Sequence, residues 1–198
     1  MIVAETSVPP SPGRPRDPRI DEAALRATVE ILEDVGYARL SIAAVAARAG
    51  TTKPAIYRRW PTKAHLVHEA VFPLDEATLV PESDDPAADL RAMVVATTEL
   101  FARPAARAAV AGLLAEFAAD PSLHPQLLSR LADSVWGRMR ERLDRAIDAG
   151  QVRPGVDAGV LIDLIGGAAF MATTAGGGPP DERWLDATVA LLTRGVMP

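Results

Sequence analysis

The chain contains 198 residues, with 21 Lys and Arg against 26 Asp and Glu, and its formal net charge is -5. It has no cysteine, which excludes disulfides, thiolate nucleophiles and cysteine-ligated metals. Hydrophobic residues make up 48% of the chain and charged residues 24%, a composition that favours a folded protein with a buried core. No apolar run is long enough to span a bilayer, and the first residues lack the pattern of a signal peptide, so we expect a cytoplasmic protein without membrane association.

Basic residues are concentrated in the N-terminal part of the chain. From Gly13 to Lys63 there are ten basic and six acidic residues, a local net charge of +4, which leaves -9 on the remainder. A basic segment on an acidic body is typical of a polyanion-binding module joined to a part that does not contact the polyanion. The charge pattern therefore indicates that the N-terminal part binds nucleic acid.

Four helices are predicted in this basic part, after a flexible arm. Residues 1–17 contain four prolines and no apolar period, which is typical of a flexible segment. Beyond them apolar residues recur at helical spacing, and Gly36 and Gly50 stand where two helices should end. Ser41, Thr52 and Thr62 are placed to cap the helices that follow them. The predicted helices span 18–35, 42–49, 53–59 and 63–71.

The rest of the chain is predicted to be helical as well. A segment at 73–86 contains three prolines and an acidic cluster, as linkers often do. No stretch alternates with the period of a β-strand, so we expect an all-α fold. It would consist of a basic arm at 1–17, a helix-turn-helix domain at 18–72 and a helical-bundle domain at 87–198. Helices are predicted in the last domain near 87–102, 104–119, 122–149, 157–175 and 181–196.

Residues 41–60 have the pattern of a helix-turn-helix motif. Small residues at Ala46 and Ala49 allow two helices to cross closely, Gly50 permits the turn, and Val45 and Ile56 are placed to pack beneath the pair. The same shape also occurs in helical proteins that do not bind DNA, so the motif alone leaves both interpretations open. Side chains suited to base edges and phosphates would face outward on the second helix, namely Thr52, Lys53, Ala55, Tyr57 and Arg58.

The stretch from Gly13 to Val67 closely resembles the DNA-binding region of TetR-family transcriptional regulators. The specific marks follow one another at the spacing of that family, and they are Gly36-Tyr37, Ser41-Ile42, Val45-Ala46, Ala49-Gly50, Lys53, Ile56-Tyr57, Trp60 and Lys63. The C-terminal half resembles an actinobacterial type of TetR ligand domain. The resemblance implies an N-terminal DNA-binding domain, a C-terminal ligand-binding and dimerisation domain, and double-stranded DNA with a palindromic operator as the partner.

The resemblance also implies roles for particular residues. The helix at 53–59 would be the recognition helix in the major groove, and Tyr57 would donate a hydrogen bond to a phosphate. Ser41 and Lys63, at the starts of two helices, would bind phosphates through charge and free backbone amides. Two positions depart from common family residues, because Pro54 removes a backbone donor and Arg59 offers a further phosphate contact. The residues expected to contact DNA are Arg14, Arg16, Ser41, Thr52, Lys53, Ala55, Tyr57, Arg58, Arg59 and Lys63.

The arm carries a short motif of its own. Arg14-Pro15-Arg16 resembles the core of an AT-hook, an extended segment that fits a narrow minor groove and is attracted by the negative potential of A·T-rich sequence. The alternative is a solvated arm that contributes only non-specific charge. Both interpretations remain open from the sequence.

Catalytic and metal sites are poorly supported by the sequence. His65 and His68 share one helical face beside Glu69, so a metal site is conceivable, but this helix already has a place in the DNA-binding domain. No nucleophile lies near a base in a recognisable pattern, and an enzyme would have to use carboxylates scattered over helix faces. We therefore expect no metal, no cofactor and no enzymatic activity.

The C-terminal half is expected to bind a small apolar or amphipathic effector and to form a homodimer. Large apolar side chains would line the effector cavity, namely Phe101, Phe117, Trp136, Met139 and Phe170. By resemblance, the helices at 157–175 and 181–196 would pair with their symmetry mates. The expected function is that of a repressor released from its operator by the effector. The alternatives are an effector-independent or architectural DNA-binding protein and a helical-bundle enzyme.

Overall fold

A computed structural model describes residues 18–73, 83–131, 137–175 and 178–196, which form α-helices and no β-strand. None of the helices in these ranges is long and apolar enough to cross a membrane. The fold is therefore all-α, as predicted. The helices are α1 Pro18–Arg39, α2 Ile42–Arg48, α3 Lys53–Tyr57, α4 Lys63–Val71, α5 Pro86–Ala102, α6 Pro104–Ala119, α7 Leu123–Leu131, α8 Gly137–Asp148, α9 Ala158–Ala175 and α10 Glu182–Val196.

The helix boundaries in the N-terminal part follow local chemistry. Gly36 interrupts α1 with φ 75° and ψ 172°, so the predicted break is confirmed, although a further turn up to Arg39 follows it. The hydroxyl groups of Ser41, Thr52 and Thr62 accept hydrogen bonds from the amides three residues later at 3.2, 3.3 and 3.4 Å. These bonds satisfy amides that the first turn of a helix leaves without a partner. The three predicted caps are confirmed.

One buried core joins α1–α4 to a helix from beyond the predicted linker. Leu32, Val45, Ile56 and Leu66 are fully or almost fully buried and come from four successive helices. The same core contains Leu113 and other buried residues of α6, which packs against both α1 and α4. The N-terminal helices therefore do not bury their apolar faces by themselves, because α6 covers one side of them.

A second core forms among α5, α8, α9 and α10. Leu90 and Val94 of α5 pack with Leu161 and Ile165 of α9 and with Val196 at the end of α10. The segment 122–149, predicted as one helix, is seen as α7 and α8, and residues 132–136 between them lie outside the described residues. The arm at 1–17 and most of the predicted linker also lie outside them.

Candidate nucleic-acid interface

The helix-turn-helix of α2 and α3 is built around a glycine turn. Gly50 has φ 63°, a left-handed conformation that glycine adopts without steric cost. The Thr51 amide donates to the Ala46 carbonyl at 2.9 Å and closes the turn. Val45 and Ile56 are fully buried beneath the two helices, as their positions in the sequence predicted. The motif is therefore a packed unit whose opposite side is open to solvent.

Four of the five residues predicted to face outward around α3 do so. Thr52, Lys53, Tyr57 and Arg58 are exposed, and Tyr57 retains 50% of its accessible surface. Ala55 is buried at 7% exposure, so the prediction that it faces outward was wrong. The reason is the short length of α3, which packs against α2 with the neighbouring residues Ala55 and Ile56 both buried, while its two ends remain exposed.

Arg59 is engaged within the protein. Its guanidinium forms an ion pair with Asp21 of α1, and its Nη1 donates to the Ala55 carbonyl at 3.1 Å. Only 12% of the Arg59 side chain is exposed. The phosphate contact expected of Arg59 stays a prediction, and it would require the guanidinium to leave Asp21. In this conformation Arg59 fastens the end of α3 to the start of α1, a role that the sequence analysis missed.

Lys63 is the first residue of α4, where the sequence analysis placed it, but its ammonium group turns inward. Nζ donates to the backbone carbonyl of Tyr37 at 2.5 Å and lies 3.9 Å from the centre of the Tyr37 ring. Burial lowers the pKa of Lys63, and the nearby Glu116 carboxylate opposes this shift. In this conformation the Lys63 ammonium is thus bound by Tyr37 within the protein rather than directed toward solvent.

The remaining predicted DNA contacts are one exposed cap and the arm. Ser41 is exposed at the start of α2, and its hydroxyl oxygen accepts the Ala44 amide, which leaves the hydroxyl proton for another acceptor. Arg14 and Arg16 lie outside the described residues. The exposed side chains that the structure brings together on one side of the motif are therefore those around α3.

Two family models match this chain. Residues 24–70 match bacterial regulatory proteins of the tetR family, and residues 80–192 match the tetracyclin repressor-like C-terminal domain. The second match alone covers more than half of the sequence. This chain belongs to the TetR family of transcriptional regulators. Members of this family bind DNA through the N-terminal helix-turn-helix and typically dimerise.

Individual TetR-type relatives are similar along most of their length. The TetR-family transcription regulator SCO0332, of known structure, is 31% identical with a TM-score of 0.69, over 91% of this chain and 100% of that one. The uncharacterized HTH-type transcriptional regulator Rv1556 of Mycobacterium tuberculosis is 29% identical over 94% of this chain and 90% of its own. The DNA-binding transcriptional repressor TetR of Mycobacteroides abscessus is 29% identical over 82% and 86%.

Within this TetR-family chain, aromatic side chains connect α4 to the C-terminal helices. The rings of Phe101 and Phe170, both predicted to line the effector cavity, lie 6.2 Å apart between centres. Phe72 lies 5.4 Å from Phe101 and 5.3 Å from His68 of α4. The sequence analysis missed Phe72, although an aromatic residue just after the predicted end of α4 was a usable signal.

The other predicted cavity residues have different surroundings. Phe117 contacts His124 of α7 at 5.2 Å and packs against the N-terminal core. Trp136 lies outside the described residues, as does the side chain of Met139. The structure thus joins two of the predicted residues directly, and it places Phe117 beside a different aromatic partner.

One of the two histidines of α4, His68, belongs to this aromatic region. Burial first, and then the positive charges that His124 and His65 can carry, lower the pKa of His68 to about 4. His68 is therefore neutral at physiological pH. The Nδ1 atom of His65 is hydrogen-bonded to the Thr62 hydroxyl at 2.8 Å. Within the described ranges no three His, Cys, Asp or Glu residues are grouped so that they could hold a metal ion.

A cavity of about 490 Å³ opens at a different place, between α5, α8 and α9. Leu90, Met93 and Leu161 contribute apolar walls. Asp89 and Arg142 form an ion pair at its edge, and Asp89 is 7% exposed. Neither Phe101, Phe117 nor Phe170 lines this cavity, so it is separate from the aromatic region predicted to bind the effector.

The outer faces of α9 and α10 form an apolar groove of about 510 Å³. Leu164, Met171 and Leu191 line it and are 56%, 57% and 70% exposed. The apolar faces of these two helices were predicted as the dimer interface. Some of their residues point the other way, because Leu161 is buried against α5 within the same chain.

Proposed function

We propose that this protein is a transcriptional repressor that binds a palindromic operator as a homodimer and leaves it when a small apolar or amphipathic effector binds. The observation that carries the proposal is the exposed set around α3. Lys53 and Arg58 supply positive charge and Tyr57 supplies a hydroxyl donor on a surface that no other described helix covers. These groups match the acceptors on phosphates and base edges in a major groove.

The DNA-binding role divides the exposed residues into two kinds. Thr52 and Lys53, at the N-terminal end of α3, would reach base edges or phosphates first, as in other helix-turn-helix proteins. Tyr57 and Ser41 would donate hydrogen bonds to phosphates and so fix the position of the helix on the duplex. We place this DNA-binding part at 18–72 and the effector-binding and dimerisation part at 87–198.

The exposed apolar groove supports the homodimer. Leu164, Met171 and Leu191 each expose more than half of their surface on α9 and α10. A two-fold interface requires one surface that complements itself, which two neighbouring helices with a common apolar face provide. A dimer would present two copies of α3 to half-sites about one helical turn of DNA, or a multiple of it, apart. The operator would consequently be palindromic.

The aromatic region supports release by an effector. Phe72 directly follows α4 of the DNA-binding part, while Phe101 and Phe170 belong to α5 and α9. A ligand that separates or reorders these rings would move α4 relative to the C-terminal helices. An effector that binds better to the displaced arrangement lowers DNA affinity by its difference in affinity for the two states. The alternative, an effector-independent regulator, requires no such difference.

Selection of operator sequences from a library of randomised DNA duplexes tests the proposal. The wild-type protein should enrich a palindromic sequence, and Tyr57→Phe should bind the selected duplex more weakly. Glu33→Gln, at an exposed position of α1, is the control for a surface substitution outside α2 and α3 and should bind the duplex as tightly as wild type or slightly more tightly. Small-molecule extracts added to the selected complex should release the DNA. Enrichment of no sequence would contradict the regulator, whereas specific binding that no extract affects would favour the effector-independent alternative.

A further inference from the structure

Tyr37 joins the DNA-binding part to α6 at two points. Its ring lies directly on the backbone of α6 at Gly112, where a Cβ atom would come within 2.2 Å of the ring. One turn further along α6, Glu116 accepts a hydrogen bond from the Tyr37 hydroxyl through Oε1. Desolvation raises the pKa of Tyr37, and Glu116 raises it further, so the hydroxyl stays protonated and donates. The position of α6 therefore fixes the position of Tyr37.

Tyr37 in turn holds Lys63. The Lys63 ammonium donates to the Tyr37 carbonyl at 2.5 Å and also lies over the Tyr37 ring, an arrangement that attracts a cation to the electron-rich ring face. Glu116 acts on the same ammonium through its charge. We refer to Tyr37, Lys63, Gly112 and Glu116 together as the Tyr37 junction. In the Tyr37 junction the same tyrosine donates its hydroxyl hydrogen bond to the Glu116 carboxylate and binds the Lys63 ammonium through its carbonyl and ring.

We propose that Glu116 and Tyr37 are positioning residues that limit the access of the Lys63 ammonium to a DNA phosphate. This inference rests on the proposed function. It adds that Glu116, from the C-terminal part, competes with the DNA phosphate for the Lys63 ammonium. A phosphate beside the start of α4 would have to draw Lys63 from the Tyr37 carbonyl and away from the attraction of Glu116. Because α6 carries both Glu116 and the glycine under the Tyr37 ring, a shift of α6 would change how strongly Lys63 is held.

Replacement of Glu116 by glutamine removes the negative charge of Glu116 while keeping the shape of its side chain. Glutamine has nearly the same shape and keeps a carbonyl oxygen that accepts the Tyr37 hydrogen bond, so the packing of the junction is retained. The negative charge that competes with the phosphate is lost. We expect Glu116→Gln to bind the selected operator about two- to fivefold more tightly than wild type, the range for the loss of one solvent-screened interaction between two charges.

Two comparisons separate this effect from a general change in charge or structure. Glu33→Gln removes one negative charge at an exposed position of α1 and should leave affinity closer to wild type. In a Lys63→Met background, Glu116→Gln should no longer tighten binding, because its effect passes through Lys63. Chemical denaturation of each variant establishes that it is folded. Equal affinities of the two glutamine variants, or a gain that persists without Lys63, would overturn the proposal.

A measurement without DNA distinguishes this inference from the proposed function. The chain has only two lysines, Lys53 and Lys63, so a protein labelled with ¹³C at lysine Cε gives two signals that single substitutions assign. In free protein, the pKa of Lys63 should fall in Glu116→Gln, because Glu116 raises it in the wild type. An unchanged Lys63 titration would overturn the positioning role even if wild type binds its operator. Failure of wild type to select any operator, with the Lys63 titration shifted as expected, would instead overturn the regulator itself.

Discussion

The two cores of the molecule differ in how completely they are covered. In the N-terminal core, residues of α1–α4 and α6 enclose one another, and Leu32, Ile56 and Leu66 have no exposed surface. In the C-terminal core, α9 and α10 bury one face against α5 and leave large apolar side chains such as Leu164 and Leu191 exposed on the other. The first core is enclosed within one chain, whereas the second leaves an apolar face exposed, as the proposed homodimer requires.

This difference in packing fits the different functions proposed for the two regions. A helix-turn-helix must hold its exposed side chains at fixed positions, and a fully packed core provides that rigidity. A pair of helices that meets a symmetry mate must instead keep apolar area exposed in the monomer. α6 belongs to the first core although it follows the linker in sequence, so the boundary in packing does not coincide with the boundary in composition.

The largest expected effect concerns the exposed C-terminal face. Leu191→Glu places a charge in the proposed interface once from each protomer, and loss of two leucine contacts should weaken dimerisation by roughly 3 kcal/mol or more, over a hundredfold in Kd. Sedimentation should show monomers that retain their helical circular dichroism. Leu114→Glu, at an exposed leucine of α6, is the matched control and should remain dimeric. A dimeric Leu191→Glu variant would place the interface elsewhere.

Truncation within the covered core should reduce folding stability instead. Leu32 is fully buried in α1, and Leu32→Ala should lower the free energy of unfolding by about 2–5 kcal/mol, because a cavity remains. Leu114→Ala removes the same atoms from an exposed position and should cost less than about 0.5 kcal/mol. Urea denaturation measures both values. Similar losses for the two variants would mean that the N-terminal core is less completely packed than the structure indicates.

Most of the helical framework could be predicted from the sequence because its signals are local. The hydroxyl caps at Ser41, Thr52 and Thr62 and the break at Gly36 depend on residues within one helical turn, and the structure contains all four. The role of α6 in the N-terminal core could not be predicted in this way. It depends on contacts between helices that are distant in sequence, which helical periodicity does not specify.

A pair of glycine substitutions tests the contact between the two regions. In Gly112→Ala the new methyl group would overlap the Tyr37 ring, and we expect a net destabilisation of about 1–3 kcal/mol from overpacking. Gly195→Ala, on α10, meets no atom within 4 Å and should stabilise the helix by about 0.5–1 kcal/mol. Thermal unfolding should therefore shift in opposite directions. Shifts of the same sign would show that α6 does not press on Tyr37.

The candidate site was harder to predict than the fold, because the role of a site residue depends on which groups its side chain contacts. Ala55 and Lys63 lie in the helices where the sequence placed them, whereas Arg59, predicted in the helix 53–59, follows the end of α3 at Tyr57. However, Ala55 packs inward, Arg59 binds Asp21 and Lys63 binds the Tyr37 carbonyl. Spacing identifies the face of a long helix, but α3 has little more than one turn, and the direction of its side chains depends on its packing against α2. Long basic side chains can also turn toward partners that the sequence does not reveal.

The aromatic region should make stability depend on pH. The pKa of His68 is about 4 in the folded protein and about 6.5 when unfolded, so the unfolded chain binds more protons between these values. Stability is then complete above pH 6.5 and falls as the pH decreases toward 4, by up to about 2 kcal/mol between pH 7.5 and 5. His68→Gln cannot titrate and should flatten this part of the profile. An unchanged profile in the variant would place the pH dependence at other groups.

The smallest effect is expected from a comparison of two basic residues near α3, one exposed to solvent and one held in an ion pair within the protein. Lys53 is exposed at the start of α3, and Lys53→Ala should reduce the slope of log K against log salt by about 0.9 for each protomer that loses a phosphate contact. Arg59→Ala should leave the slope unchanged and lower folding stability, because Arg59 contacts Asp21 rather than solvent. Anisotropy titrations at several salt concentrations, with urea denaturation of both variants, provide the comparison. A reduced slope in Arg59→Ala would mean that DNA draws this arginine away from Asp21, and the fixed connection between α3 and α1 would then hold only in the free protein.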